Sequence, residues 1–250
     1  MRTVLVTGAG RNIGLAVARQ LAAAGHRVAL NARSAQAVEA ATEAIVADGG
    51  SAVAVPGDVA DGAAVRAAVD RAGSAFGEVD VLVHCAGIRV HRDFLDLSDD
   101  EWSTPLRVGL DGAFHCAQAV LPAMVRAGWG RLVFVAGVSG QTGAAHRASV
   151  VTAKAGLIGL TRALALEFAA TGVTVNAISP GMIDTERGPW TSQGDQATTA
   201  AHYAGRVGRI PLGRMGRLDE VTAAVEYLVS EQAGFVTGQT LNVNGGMYLA

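Results

Sequence analysis

Lysine is all but missing from this chain: of 20 basic residues 19 are arginine, and the one lysine is Lys154. Tyrosine is nearly as scarce, at Tyr203, Tyr227 and Tyr248 only. The two cysteines, Cys85 and Cys116, are too few for a disulfide scaffold and read as small buried hydrophobes. No charge of one sign dominates: 20 basic against 22 acidic residues leave a net −2. That balance excludes a nucleic-acid binder built on a general basic surface. The low hydrophobicity of a disordered chain is also missing, since half of the 250 residues are apolar and 17% charged. No uninterrupted apolar run reaches the ~18 residues that span a bilayer. The opening Met1-Arg2-Thr3-Val4-Leu5-Val6-Thr7-Gly8 stops at glycine too soon for a secretory leader. The expectation is a cytoplasmic protein with reduced thiols, a small-molecule substrate, and neither nucleic acid nor membrane as partner.

What is present is an alternation of short β-branched runs with longer helical patterns. Val4–Thr7, Arg27–Asn31, Ala52–Val55, Val79–His84, Arg131–Ala136, Val173–Ile178 and Thr240–Val243 predict strands buried on both faces. Helices are predicted near Ile13–Ala24, Ser34–Asp48, Asp61–Phe76, Asp99–Ala127, Ser149–Thr171 and Leu218–Ser230. Gly25, Gly49, Gly128 and Gly172 follow four of them as helix stops. The alternation implies an α/β fold, a three-layer doubly wound Rossmann arrangement with a seven-stranded parallel sheet, in a single domain over 1–250. The irregular stretch 182–212 reads as a substrate lid containing Trp190 and Tyr203.

The first strand runs into Thr7-Gly8-Ala9-Gly10-Arg11-Asn12-Ile13-Gly14 and then a helix. Glycines at such a turn let backbone N–H groups approach a pyrophosphate at the helix N-terminus. This pattern resembles that of the short-chain dehydrogenase/reductase family, and the resemblance continues along the chain. It includes Asp58-Val59, His84-Cys85-Ala86-Gly87, Val175-Asn176-Ala177-Ile178-Ser179-Pro180-Gly181, and Gly238-Gln239-Thr240-Leu241-Asn242-Val243-Asn244-Gly245-Gly246. The likeness is greatest to the 3-oxoacyl-carrier-protein reductases of that family. It implies a nicotinamide dinucleotide held by Gly8, Arg11, Asn12, Ile13, Gly14, Arg33, Asp58, Val59, Ala86, Gly87, Lys154, Pro180, Gly181, Ile183 and Thr185. Asn12 stands where the family has its second glycine; Asn is among the few residues that tolerate positive φ. The second strand ends in Asn31-Ala32-Arg33, with no carboxylate to take a ribose 2′-hydroxyl. Arg11 and Arg33 suit a 2′-phosphate instead, so NADP(H) is expected over NAD(H).

The family's chemistry uses an Asn, a Ser, a Tyr and a Lys four residues after the Tyr. Aligned on Lys154, the Tyr position holds Val150, the Ser position Gly137 and the Asn position Gly109. Three of the four side chains are gone, and no tyrosine precedes Tyr203 to replace the phenol. Lys154 is left to bind the nicotinamide ribose. Around the emptied positions, His146 and His91 are the candidate acid/base groups, because imidazole titrates near neutrality. Ser139 is a third candidate, with Ser149, Thr152, Arg89 and Arg92 nearby. His84 reads as hydrogen-bonded structure, and His115 as lying off the helix face of Gly109. No cluster has metal-ligand spacing.

Three functions follow. The first is an enzyme acting on a polyketide-like or acyl substrate by a route without tyrosine, such as cyclisation, isomerisation, dehydration or assisted hydride transfer. The second is an NADPH-dependent carbonyl or 3-oxoacyl reductase with a substitute acid. The third is a catalytically silent subunit partnering an active relative. The resemblance also implies a homo-oligomer, a dimer or a tetramer packed through the two long helices and the C-terminal strands.

Overall fold

The computed structural model describes residues 1–185, 205 and 207–249. Strands β1 (Thr3–Thr7), β2 (Arg27–Asn31), β3 (Ser51–Ala54), β4 (Val81–His84), β5 (Gly130–Val135), β6 (Val173–Pro180) and β7 (Thr240–Val243) form one sheet. Its order is β3-β2-β1-β4-β5-β6-β7 and every pairing is parallel. Along β1, Val4 and Val6 join one core while Leu5 joins the other, so a continuous apolar run serves both faces. One face is covered by α1 (Asn12–Ala23), α2 (Ala35–Ala47) and α8 (Leu218–Val229). The other is covered by α3 (Gly62–Phe76), α5 (Gly112–Ala127) and α7 (Ala148–Phe168). The expected α/β doubly wound layers and seven parallel strands are therefore present, with most boundaries displaced by only a residue or two. β6 runs on to Pro180, whose carbonyl accepts from the Val138 N–H at 3.0 Å.

The helix expected as one piece over Asp99–Ala127 is broken. It consists of α4 (Asp99–Leu106), a π turn over Arg107–Asp111, and α5. Pro105 inside α4 removes a backbone donor, and Gly112 lets the helix approach the turn after β3 so closely that a Cβ there would meet Val59 Cγ2 at 2.8 Å. By length and composition alone, the helical stretches 99–127 and 148–171 are apolar enough to cross a bilayer. In the fold, Ala113, Val120 and Met124 of one and Leu157 and Ala165 of the other lie in the core against the sheet.

At the N-terminal ends of the strands Trp129 lies between two guanidinium groups. Arg2 Cζ sits 3.6 Å and Arg131 Cζ 4.4 Å from its ring, and its indole N–H donates to Glu231 at 3.1 Å. Of the expected lid over 182–212, Trp190 and Tyr203 lie outside the described residues.

Candidate active site

The strand order reverses between β1 and β4, and such a switch point is where doubly wound sheets form a ligand crevice, at the carboxyl ends of the strands. The turn after β1 forms one wall. Gly8 has φ +64°, and a Cβ there would lie 2.9 Å from the Ala86 nitrogen. A Cβ on Gly14 would come within 2.2 Å of the Gly8 carbonyl oxygen. Only glycine fits at either place. Asn12 opens α1 with φ +50°, the left-handed geometry expected of it. Arg11 and Arg33 are exposed on adjoining turns, and a Cβ on Gly10 would lie 3.6 Å from Ala32 Cβ. On the far side, the Asp58 carboxylate accepts from the Ala60 N–H at 3.0 Å, and His115 Nδ1 donates to the Val59 carbonyl at 2.9 Å. His115 lies off the face of Gly109, as expected. Its bond to a turn 56 residues away left no local signal in the sequence.

Beneath the crevice runs a chain of hydrogen bonds through His84, which is fully buried. The Ala86 N–H donates to Thr7 Oγ1 at 3.3 Å, and Thr7 Oγ1 lies 3.0 Å from His84 Nδ1. His84 Nε2 lies 3.1 Å from the Gly109 carbonyl oxygen. A carbonyl can only accept, so Nε2 carries the proton and Nδ1 accepts from the threonine. The imidazole thus ties β1, β4 and the π turn together. It is neutral, its pKa pushed down to about 3 by burial and by the nearby Lys154 charge.

Lys154 projects from α7 into the crevice. Its Nζ donates to the Val135 carbonyl at 2.6 Å, and a Cβ on Gly87 would stand 3.4 Å from that nitrogen. Burial lowers its pKa to about 8; Cys85 opposes the shift and Arg89 adds to it. One turn earlier Val150 is buried at 6% exposure, and neighbouring Ser149 Oγ is buried without a partner. Thr152 faces solvent. Gly137 has φ +115°, and the nearest atom to a Cβ there is the Pro180 oxygen at 3.9 Å. The chain then enters the short helix α6 (Ser139–Thr142), where Gln141 donates to Ser179 Oγ at 2.6 Å and to Asn242 Oδ1 at 2.7 Å.

At the rim, His146 has φ +61°, and its Nδ1 pairs with Asp93. The His91 ring centroid lies 5.3 Å from that of His146. The Arg92 N–H donates to the His146 carbonyl at 2.8 Å, and its guanidinium binds Glu101 at 2.9 Å. The two sequence-nominated imidazoles are therefore together, with Asp93 as a partner that sequence reasoning missed. Ser139 stands apart from them at the head of α6.

The residues present fit a dinucleotide. The Gly8 and Gly14 cradle is one a Cβ would fill, and it lies at the N-terminus of α1, where N–H groups face a phosphate. On the β6 side, the Gly181 N–H donates to the Val243 carbonyl at 3.0 Å, Ile183 bridges Gly216, and Thr185 Oγ1 is buried without a partner. A carboxamide is one group that could use that hydroxyl.

The depressed His84 pKa gives a prediction. Between about pH 6.5 and 3 the unfolded imidazole is protonated and the folded one is not. Stability conferred by neutral His84 is therefore complete above that window and falls as pH drops through it. The expected loss is ~1.4 kcal/mol per pH unit within the window. In His84→Asn, urea unfolding at pH 7 and pH 5 should differ less than in the unchanged protein. An equal difference would show that His84 is not the titrating group.

Residues 8–248 match the profile of a family described as Enoyl-(Acyl carrier protein) reductase. The chain is 36% identical over 248 residues to the 3-oxoacyl-(acyl-carrier-protein) reductase of Escherichia coli K12, covering 99% of this chain and 98% of the relative. It is 38% identical over 249 residues to the enzyme of the same name from Staphylococcus aureus Mu50, with the same coverage. The doubly wound sheet, the glycine cradle at its switch point and likeness over nearly the whole length agree: the chain belongs to the short-chain dehydrogenase/reductase family.

Proposed function

We propose that the protein is an NADPH-dependent reductase of carbonyl groups, with 3-oxoacyl thioesters as its substrate class, and that it delivers the proton without a phenol. The placement of Lys154 carries the reading. The only lysine of the chain reaches Gly87, across from the Gly8 to Gly14 cradle, where its ammonium can hold a ribose. Two relatives named as 3-oxoacyl-(acyl-carrier-protein) reductases support a reductase over cyclisation or isomerisation. The absence of a carboxylate after β2, with Arg11 and Arg33 exposed there, supports NADP(H) over NAD(H).

When bound, the cofactor supplies the hydride. This chain must supply a proton to the developing alkoxide. His146 is the candidate donor: Asp93 engages Nδ1, which leaves Nε2 as the second ring nitrogen. The carboxylate holds the ring in place through that contact. Exposed Phe114 on α5 and Leu166 on α7, with Leu241 on β7, support a homo-oligomer through those faces. The protein is read as cytoplasmic.

The test follows NADPH consumption with a 3-oxoacyl thioester. Turnover with NADPH should exceed that with NADH. His146→Ala should lower kcat by ~10²-fold with KM little changed, and Asp93→Asn, which takes away the carboxylate that positions the ring, should lower kcat as well. NADPH that binds but is never consumed would favour a silent subunit.

A further inference from the structure

We infer that Lys154 is a covalent capture group for carbonyl compounds: in the free protein its amine condenses with an aldehyde or ketone entering the crevice, forming an imine and releasing water. This goes beyond the reductase reading, in which the same nitrogen only holds a sugar.

The Nζ amine is held in one place, beside backbone that carries no side chain. One N–H is anchored on the Val135 carbonyl at 2.6 Å, which fixes the end of a flexible side chain. Gly87 faces the nitrogen without a side chain; a Cβ there would be in van der Waals contact with it, at 3.4 Å. The nearest atom to a Cβ on Gly137 is 3.9 Å off, and Gly109 likewise has no side chain to offer. Val150, one turn before Lys154, has no hydrogen-bonding group. Lys154 itself is half-buried, so part of its side chain meets solvent.

Among the described residues, no carboxylate offsets the ammonium. The groups that act on it are Cys85 and Arg89, and it in turn acts on His84. His84 is neutral, and burial pushes the Cys85 thiol up to about 12, so neither provides a negative charge at neutral pH. Burial accordingly favours the free amine, whose lone pair is the reactive species. The step needs no outside oxidant or reductant. The lone pair attacks the carbonyl carbon and a C–N bond forms. The oxygen takes up two protons, one from the nitrogen and one from solvent, and leaves as water. An iminium remains, and it loses its N–H proton to give the imine. A ketone at the 3-position of an acyl thioester belongs to the class that reacts.

The test is reductive trapping. The full-length protein is incubated at pH 7.5 with butanal and cyanoborohydride, and peptides are mapped by mass spectrometry. The chain has one lysine, so the only other amine is that of Met1, an internal control. Lys154 should be alkylated roughly tenfold or more faster than in urea-unfolded protein, where an ordinary lysine pKa near 10.4 leaves little free amine. Lys154→Arg should abolish the adduct while the Met1 adduct remains. Alkylation at Met1 with none at Lys154 in the folded protein overturns the inference. NADPH should slow the trapping. Trapping that NADPH leaves unchanged supports the capture group and counts against the cofactor site over Lys154, so the two readings fail separately.

Discussion

Replacing Val150 with tyrosine is expected to raise NADPH-dependent reduction of a 3-oxoacyl thioester by ~10²-fold, the low end of what general acid catalysis contributes. Val150 lies one helical turn before Lys154 on α7, so a phenol there would share the face of the ammonium. An ammonium beside it favours phenolate and lowers the phenol pKa. The backbone needed for this is already in place, because helix α7 runs unbroken through both positions. The larger ring costs ~1–3 kcal/mol of overpacking at a site only 6% exposed, which a thermal melt would register. Restoring the serine is the poorer repair. Gly137 has φ +115°, a conformation that strains any other residue by ~1–3 kcal/mol. Steady-state rates for Val150→Tyr, Gly137→Ser and the double variant decide the matter. A Val150→Tyr protein that binds NADPH normally but gains no rate would show that proton delivery is not what limits the reaction.

The second large effect is a loss. Gly14→Ala should weaken NADPH binding by about 10²-fold, ~2.7 kcal/mol, because the new methyl would sit 2.2 Å from the Gly8 carbonyl oxygen. The Gly8 turn and the first turn of α1 cannot then both keep their places, and the N–H groups that would meet the phosphates move apart. Gly25→Ala is the control. Gly25 has φ +85° but nothing within 4 Å of a Cβ, so the change should cost stability and leave binding untouched. Fluorescence titration with NADPH separates the two. Equal affinities for Gly14→Ala and the unchanged protein would place the nucleotide away from this turn.

Much of this was legible in the sequence, for identifiable reasons. The strands could be read because burial on both faces demands unbroken apolar, β-branched runs such as Val4-Leu5-Val6. The glycine turn after β1 could be read because its residues are consecutive. The break at Arg107–Asp111 had one local signal, Pro105, against a helical periodicity running through Asp99–Ala127; the close approach of Gly112 to Val59 across the fold left none. The emptied positions Val150, Gly137 and Gly109 follow from the resemblance to the family, with Lys154 as the anchor of the alignment. The partners of the replacement groups could not be read in this way. Asp93 joins His146 from 53 positions away, and His84 reaches both Thr7 and Gly109. No local pattern marks a contact set by topology.

The stacked indole at Trp129 has an optical consequence. It sits at the opposite end of the strands from the crevice, fixed between Arg2 and Arg131 and bonded to Glu231. Its emission should report whether the base of the sheet is intact. A Trp102→Phe, Trp190→Phe background would turn that single fluorophore into a built-in gauge of unfolding.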